Sequence, residues 1–172
     1  MSDWQQFDRK ELAGDVSGES DESKYLLFKL GNELYGTPLL GVREVVQPQT
    51  PKHVPNTVPY FKGLINIRGQ VVGLVDLRVR FGYQSTENAK QALLVFDTDA
   101  GPIAATVDHV EAVIRAEEKE IHKNPNIQSQ VPMEYLIGVI HHQDRLVTLI
   151  DLNRTFSRED YVEIGRGKIT AA

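Results

Sequence analysis

Two aspartates, Asp76 and Asp151, each close an apolar run and open the phrase Asp-Leu-Xaa-Xaa-Xaa-Phe, 75 positions apart. A pair of carboxylates could serve as general acid and base. An aspartate at a strand-to-helix junction has a plainer use, accepting backbone N–H groups as an N-cap worth typically about 1 kcal/mol. The same residue at the same place in both halves is what a fold element requires, so capping is the expected role. His141 and His142 are the sole histidine cluster, and neighbours on a strand point to opposite faces, so they do not chelate one metal together. His53, His109 and His122 are scattered, and with no cysteine in the chain, thiol catalysis, disulfides and cysteine zinc sites are excluded. Gly165-Arg166-Gly167-Lys168-Ile169-Thr170 lacks the spacing of a phosphate loop and the flanking strand and helix. No nucleophile elbow, HExxH or dinucleotide fingerprint occurs. No catalytic residue, metal ligand or cofactor is expected, and the chain does not read as an enzyme.

The remaining candidate is defined by a duplication. Residues 63–81 align without a gap on residues 138–156, with seven of 19 positions identical: Gly63, Ile65, Val72, Leu74, Asp76, Leu77 and Phe81 match Gly138, Ile140, Val147, Leu149, Asp151, Leu152 and Phe156. Shared residues are expected to be architectural. The copies diverge where Asn66-Ile67-Arg68-Gly69 faces His141-His142-Gln143-Asp144. Gly69 supplies backbone freedom for a turn, and Asn66 and Arg68, two positions apart, are expected on one strand face. Arginine carries a fixed fork of donors and often anchors interfaces. Because the second copy lacks these residues, the hairpin itself does not require them, and a binding role is the favoured reading.

The elements that must position this motif are short apolar runs at 25–30, 34–40, 42–46, 64–67, 71–75, 92–96, 102–107, 110–114, 136–140 and 146–150. Ten such strands predict an all-β protein, five strands in each half suiting a small barrel without exposed edges. Proline-punctuated stretches at 48–59 and 124–132 read as crossings, because proline cannot donate to a ladder. Short helical turns are expected after Asp76 and Asp151 and near 56–61 and 132–135. A weaker second match pairs Gly36–Val45 with Gly101–Val110.

Composition narrows the partners. Residues 1–24 hold seven acids against three bases, and so −4 of the formal charge of −5. The rest is close to neutral at 16 basic and 17 acidic residues, which gives no footprint for nucleic acid. An oligonucleotide-binding barrel is further disfavoured by the lack of a basic aromatic stripe. No apolar run approaches the roughly 18–20 residues of a membrane span, and the N-terminus lacks the apolar core of a signal peptide. The expectation is a cytoplasmic protein with no direct membrane insertion. Residues 1–23 read as a disordered acidic tail and 158–172 as a flexible C-terminal tail around a domain at 24–157.

Tyr35-Gly36-Thr37-Pro38 with Val42-Arg43-Glu44-Val45, then Pro59-Tyr60-Phe61-Lys62-Gly63-Leu64-Ile65-Asn66-Ile67-Arg68-Gly69, then Val75-Asp76-Leu77-Arg78-Val79-Arg80-Phe81-Gly82, resembles the CheW family of chemotaxis coupling proteins. The likeness covers about residues 25–156, and Asp108 before Val110 and Tyr135-Leu136-Ile137-Gly138 carry it into the second half. One departure is Gly73, where many relatives have proline. The resemblance implies two pseudo-repeated five-stranded SH3-like barrels packed around a shared core with a groove between them, the first at about 30–90 and the second at about 91–150, terminal strands being exchanged between them. It also implies a non-catalytic adaptor that couples the cytoplasmic tip of a chemoreceptor to the regulatory domain of the histidine kinase CheA within a membrane-associated array. A CheW-like adaptor serving a non-chemotaxis kinase pathway would share these residues. Carried across the motif, the receptor-facing positions are Val42, Glu44, Gly63, Asn66, Arg68 and Gly69, with Val113 added from the second half. A groove lined by Val42 and closed by Gly63 would accept an apolar helix face, with Arg68 either a direct partner to a receptor carboxylate or backbone carbonyl, or a brace across the groove paired with Glu44. Kinase contacts do not fall on a comparably sharp motif and are not assigned.

Overall fold

The computed structural model describes residues 7–8, 21–84, 91–99, 101–123, 131–156 and 159–160. All ten expected strands form, and a two-residue strand precedes them. In chain order they are β1 (Phe7–Asp8), β2 (Lys24–Leu30), β3 (Glu33–Pro38), β4 (Val42–Val46), β5 (Phe61–Ile67), β6 (Gln70–Asp76), β7 (Ala92–Thr98), β8 (Gly101–Val107), β9 (His109–Arg115), β10 (Leu136–His142) and β11 (Arg145–Ile150). One four-residue helix, α1 (Leu77–Arg80), follows Asp76, and a 3-10 turn (Leu152–Arg154) follows Asp151. The turn expected near 132–135 is present at Met133–Tyr135, whereas 56–61 forms no helix and closes on a single turn bond from the Phe61 N–H to the Val58 carbonyl.

Two sheets of the SH3-like kind result, ordered β1-β4-β7-β8-β6-β5 and β10-β11-β3-β2-β9. Each contains one parallel pair, β6 with β8 and β11 with β3, and antiparallel pairs otherwise. The sheets do not divide at residue 90. β7 and β8 complete the first sheet with β4–β6, while β2 and β3 complete the second with β9–β11. The parallel pairings decide this, because the strand after each long hairpin must pair at a distance rather than with its chain neighbour.

The sheets are repeats of each other strand by strand. Leu74 pairs with Ala104 in the first, and its counterpart Leu149 pairs with Gly36 in the second, so β8 corresponds to β3, β7 to β2 and β4 to β9. This register differs from the expected match of Gly36 with Gly101. Gly36 lies mid-strand, where a Cβ would stand 2.8 Å from Leu149 Cδ2, whereas Gly101 opens β8 at φ +122°. Two glycines with unrelated causes had produced the apparent alignment. Both outer strands carry a bulge at the same place, at Arg43 in β4 and at Glu111 in β9.

Alternation explains the unbroken apolar runs at 25–28 and 92–96. Leu93 and Val95 point into a cluster private to the first sheet with Ile65, Val72 and Leu74, and Tyr25 and Leu27 into its counterpart with Ile140, Val147 and Leu149. Leu26, Phe28, Leu94 and Phe96 point the other way, into the core shared by both sheets. Strands buried on both faces have no polar face to show.

The tails depart from expectation at three points. Asp21–Ser23 form a 3-10 turn whose Ser23 carbonyl accepts the Ala116 N–H at 2.9 Å. Phe7–Asp8 pairs with Val45 and Glu44. Near the other end, Arg80 Nη2 donates to Asp160 Oδ1 at 3.3 Å and to the Thr155 carbonyl at 3.2 Å, beneath the ring of Tyr60. Burial of the arginine among Tyr60, Tyr135 and Phe156 makes a fixed carboxylate partner favourable there. Residues 1–6, 9–20, 158 and 161–172, with Gly165–Thr170 among them, and Pro125 lie outside the described residues.

Candidate interaction site

The turns that differ in sequence coincide in shape. Arg68 and Gly69 adopt φ +50° and +83°, and Gln143 and Asp144 adopt +49° and +60°. Positive φ at both central residues is the two-residue hairpin turn whose twist matches the strands it joins. Arg68 is therefore a turn residue and not, as the spacing suggested, a strand neighbour of Asn66. Asn66 Oδ1 accepts the Gly69 N–H at 2.9 Å and steadies the turn. Asn66, Arg68 and Gly69 are all exposed.

Arg68 Nη2 lies 3.3 Å from Glu44 Oε2. Glu44 sits on β4 near one end of the first sheet and Arg68 joins β5 and β6 at the other end, so the pair spans the seam where the sheet curls toward closure. Arg43 Nη1 reaches Gln70 Oε1 at 3.5 Å across the same seam. The second sheet closes its seam with other residues. Arg145 donates both η nitrogens to Glu111, at 3.0 and 2.7 Å, and these two positions correspond to Gln70 and Arg43. Arg145's hydrogen bonds hold the Glu111 carboxyl below the ordinary carboxylate range, and Glu111 in turn raises the Arg145 guanidinium. The positions corresponding to Glu44 and Arg68 are Ala112 and Gln143, which cannot form an ion pair. The Glu44–Arg68 bridge thus belongs to the first copy alone.

The other candidates separate from this group. Gly63 has φ +132°, and a Cβ there would stand 2.2 Å from the Lys52 carbonyl oxygen. Lys52 and Leu64 exchange both backbone bonds, at 2.8 and 2.9 Å. Gly138 repeats the arrangement, its Cβ position lying 2.8 Å from the His122 carbonyl, with His122 and Val139 exchanging bonds at 2.9 and 3.0 Å. Gly63 therefore lets the first crossing dock on β5, a task both copies need. Val42 is 1% exposed within the shared core, so it lines no open groove, and Gly63 is covered by the crossing rather than closing one. Val113, on the outer strand of the second sheet, packs against the shared core opposite Leu26 and is the counterpart of Val45. Gly73 leaves room for Phe61, whose Cε2 would stand 3.1 Å from a Cβ at that position.

The paired aspartates are caps. Asp76 Oδ1 accepts from the N–H groups of Arg78 and Val79 at 3.0 and 3.4 Å, and Asp151 Oδ1 accepts from Asn153 at 3.1 Å. Asp108, singled out in the sequence only as part of the family likeness, is buried, salt-bridged to Arg78 at 2.8 Å and accepts the Gly31 N–H at 2.6 Å. It ties α1 of the first sheet to the hairpin between β2 and β3 of the second. Sequence reasoning gave it no such role, because neither partner is near it in the chain. No group of three or more potential metal ligands occurs among the described residues, nor a helix long and apolar enough to cross a membrane.

Paired SH3-like sheets around a shared core, each with a charged seam and the first with a Glu44–Arg68 bridge of its own, define a binding scaffold. The CheW-like domain model matches residues 24–160, and the chain belongs to the CheW family. It is 30% identical over 146 residues to the chemotaxis protein CheW of Klebsiella aerogenes, covering 84% of this chain and 88% of that one. Identity to CheW of Helicobacter pylori is 28% over 157 residues, covering 89% and 94%. Among solved structures, the scaffolding protein TtCheW of Thermoanaerobacter tengcongensis superposes with a TM-score of 0.73 at 25% identity, covering 84% of this chain and 94% of that one.

Proposed function

We propose that this protein is a non-catalytic cytoplasmic adaptor that couples the cytoplasmic tip of a chemoreceptor to the regulatory domain of the histidine kinase CheA, and that the tip docks at the first seam. The observation that carries the reading is the Glu44–Arg68 bridge, present in one copy of the repeat and without an equivalent in the other. A difference the fold does not need is available for recognition. Arg68 is 64% exposed at its side chain while Glu44 is 10% exposed, so the arginine is held at one end and offers its remaining donors outward. Asn66 and Gly69 flank it in the exposed turn, and a receptor tip, a helical hairpin, would present its carboxylates or apolar face to this seam. Val42, Gly63 and Val113 support the site from within. Membership of the CheW family and likeness to a scaffolding protein agree with coupling as the role.

The test uses full-length protein, a soluble receptor-tip fragment and the kinase regulatory domain. Arg68→Ala is expected to weaken tip binding by about tenfold or more, as loss of an interface arginine does, while kinase-domain affinity and melting temperature stay within error. Unchanged tip affinity would overturn the site, and a chain that binds neither partner would overturn the function.

A further inference from the structure

The proposed docking site is partly shut. Glu44 is 7% exposed, although Arg68, bridged to it, faces solvent. The strand that carries Glu44, β4, would be the outer strand of its sheet but for β1, which pairs along its seam side with Asp8 opposite Glu44 and Phe7 opposite Val45. We propose that Phe7–Asp8 is a displaceable guard strand, which holds the seam edge of β4 and competes with the receptor tip for Glu44 and Arg68. The proposal rests on the docking site argued above.

Three features suit β1 to leave. A strand of two residues offers a minimal ladder. Asp8 stands opposite Glu44 in the register, and like charges at opposed positions weaken a strand pair. Residues 1–24, which include β1, hold −4 of the chain's formal charge of −5, so the sequence around β1 adds no net positive charge to offset the acidic Glu44. The second sheet carries no such strand on its corresponding outer strand, β9, among the described residues. The guard therefore accompanies the copy that carries the Glu44–Arg68 bridge. Seated in about nine molecules of ten, it would lower the apparent affinity for a competing helix about tenfold.

The chain's lack of cysteine permits a clean test. Cα atoms directly opposite in an antiparallel pair are about 4.5–5.5 Å apart, within reach of a disulfide. Full-length Phe7→Cys/Val45→Cys is compared with itself, oxidised against reduced, for affinity toward a soluble receptor-tip fragment. Oxidation is expected to lower affinity about tenfold or more. Phe7→Pro/Asp8→Pro removes the donors that hold the ladder, and should raise affinity by about threefold to tenfold while speeding amide exchange at Glu44 and Val45. Equal affinities in the oxidised, reduced and proline forms, or a pair that does not cross-link and exchange that does not change, would overturn the guard. If no form binds the tip, the docking reading falls instead, and exchange with cross-linking still decides whether β1 holds the edge.

Discussion

At the scale of single residues, the copies of the repeat separate two kinds of glycine and two kinds of arginine. Gly63 and Gly138 both face a backbone carbonyl at a distance no side chain tolerates. Gly63→Ala is therefore expected to cost more than about 2 kcal/mol, because the crossing must shift and positive φ adds strain, and Gly138→Ala should be comparably harmful. Thermal unfolding of both variants checks this. A stable Gly63→Ala that had lost tip binding would instead make Gly63 a contact residue. Arg68 is the opposite case. Its bridge to Glu44 is solvent-exposed at the arginine end and contributes under about 1 kcal/mol, so removal affects recognition more than folding.

At the scale of elements, Asp76 and Asp151 start the two short helical turns. Asp76 accepts two N–H groups and Asp151 one, so Asp76→Ala should cost about 1–2 kcal/mol and Asp151→Ala about 1 kcal/mol or less by denaturant unfolding. A loss confined to binding, with stability intact, would reject capping. These caps were legible in the sequence because an aspartate after an apolar strand has one common structural use, and its recurrence removed the alternative. The ten strands were legible as short, largely apolar runs between turn residues, most nearly continuous in β2 and β7, where both faces are buried. The partition of strands between sheets was not, because parallel pairing of β6 with β8 and β11 with β3 is a long-range choice that side-chain alternation does not encode. The Glu44–Arg68 pairing was legible as one of the two roles open to Arg68, and the 3.3 Å contact is that brace, although it lies within the first sheet rather than across a groove between the two.

At the scale of the whole molecule, two sheets of the same topology have diverged at their seams. The second is fastened by the two-pronged Glu111–Arg145 pair, the first by a single Glu44–Arg68 contact whose cation is the more exposed, 64% against 42%. Glu111's depressed carboxyl stabilises the fold above its unfolded value, and that stabilisation is lost as pH falls through the lower, folded value. The wild type should accordingly lose melting temperature on acidification through and below the ordinary carboxylate range more steeply than Arg145→Ala, with the two curves converging at the acid end. Parallel curves would mean that the pair contributes nothing. Asp108, salt-bridged to Arg78 and bonded to Gly31, fixes the sheets to each other, so a partner that grips the first seam acts on a body whose other sheet is rigidly attached.

The central claim is that the first seam, and not its counterpart, recognises the receptor. A matched pair of substitutions tests it most directly: Arg68→Gly and Gln143→Gly occupy corresponding turn positions at φ +50° and +49°, where glycine relieves backbone strain in both. The measurement is the affinity of each full-length variant for a soluble receptor-tip fragment. The account predicts equal or slightly raised melting temperatures in both, a loss of about tenfold or more for Arg68→Gly, and no loss for Gln143→Gly. Retained affinity in Arg68→Gly, or an equal loss in Gln143→Gly, would contradict it.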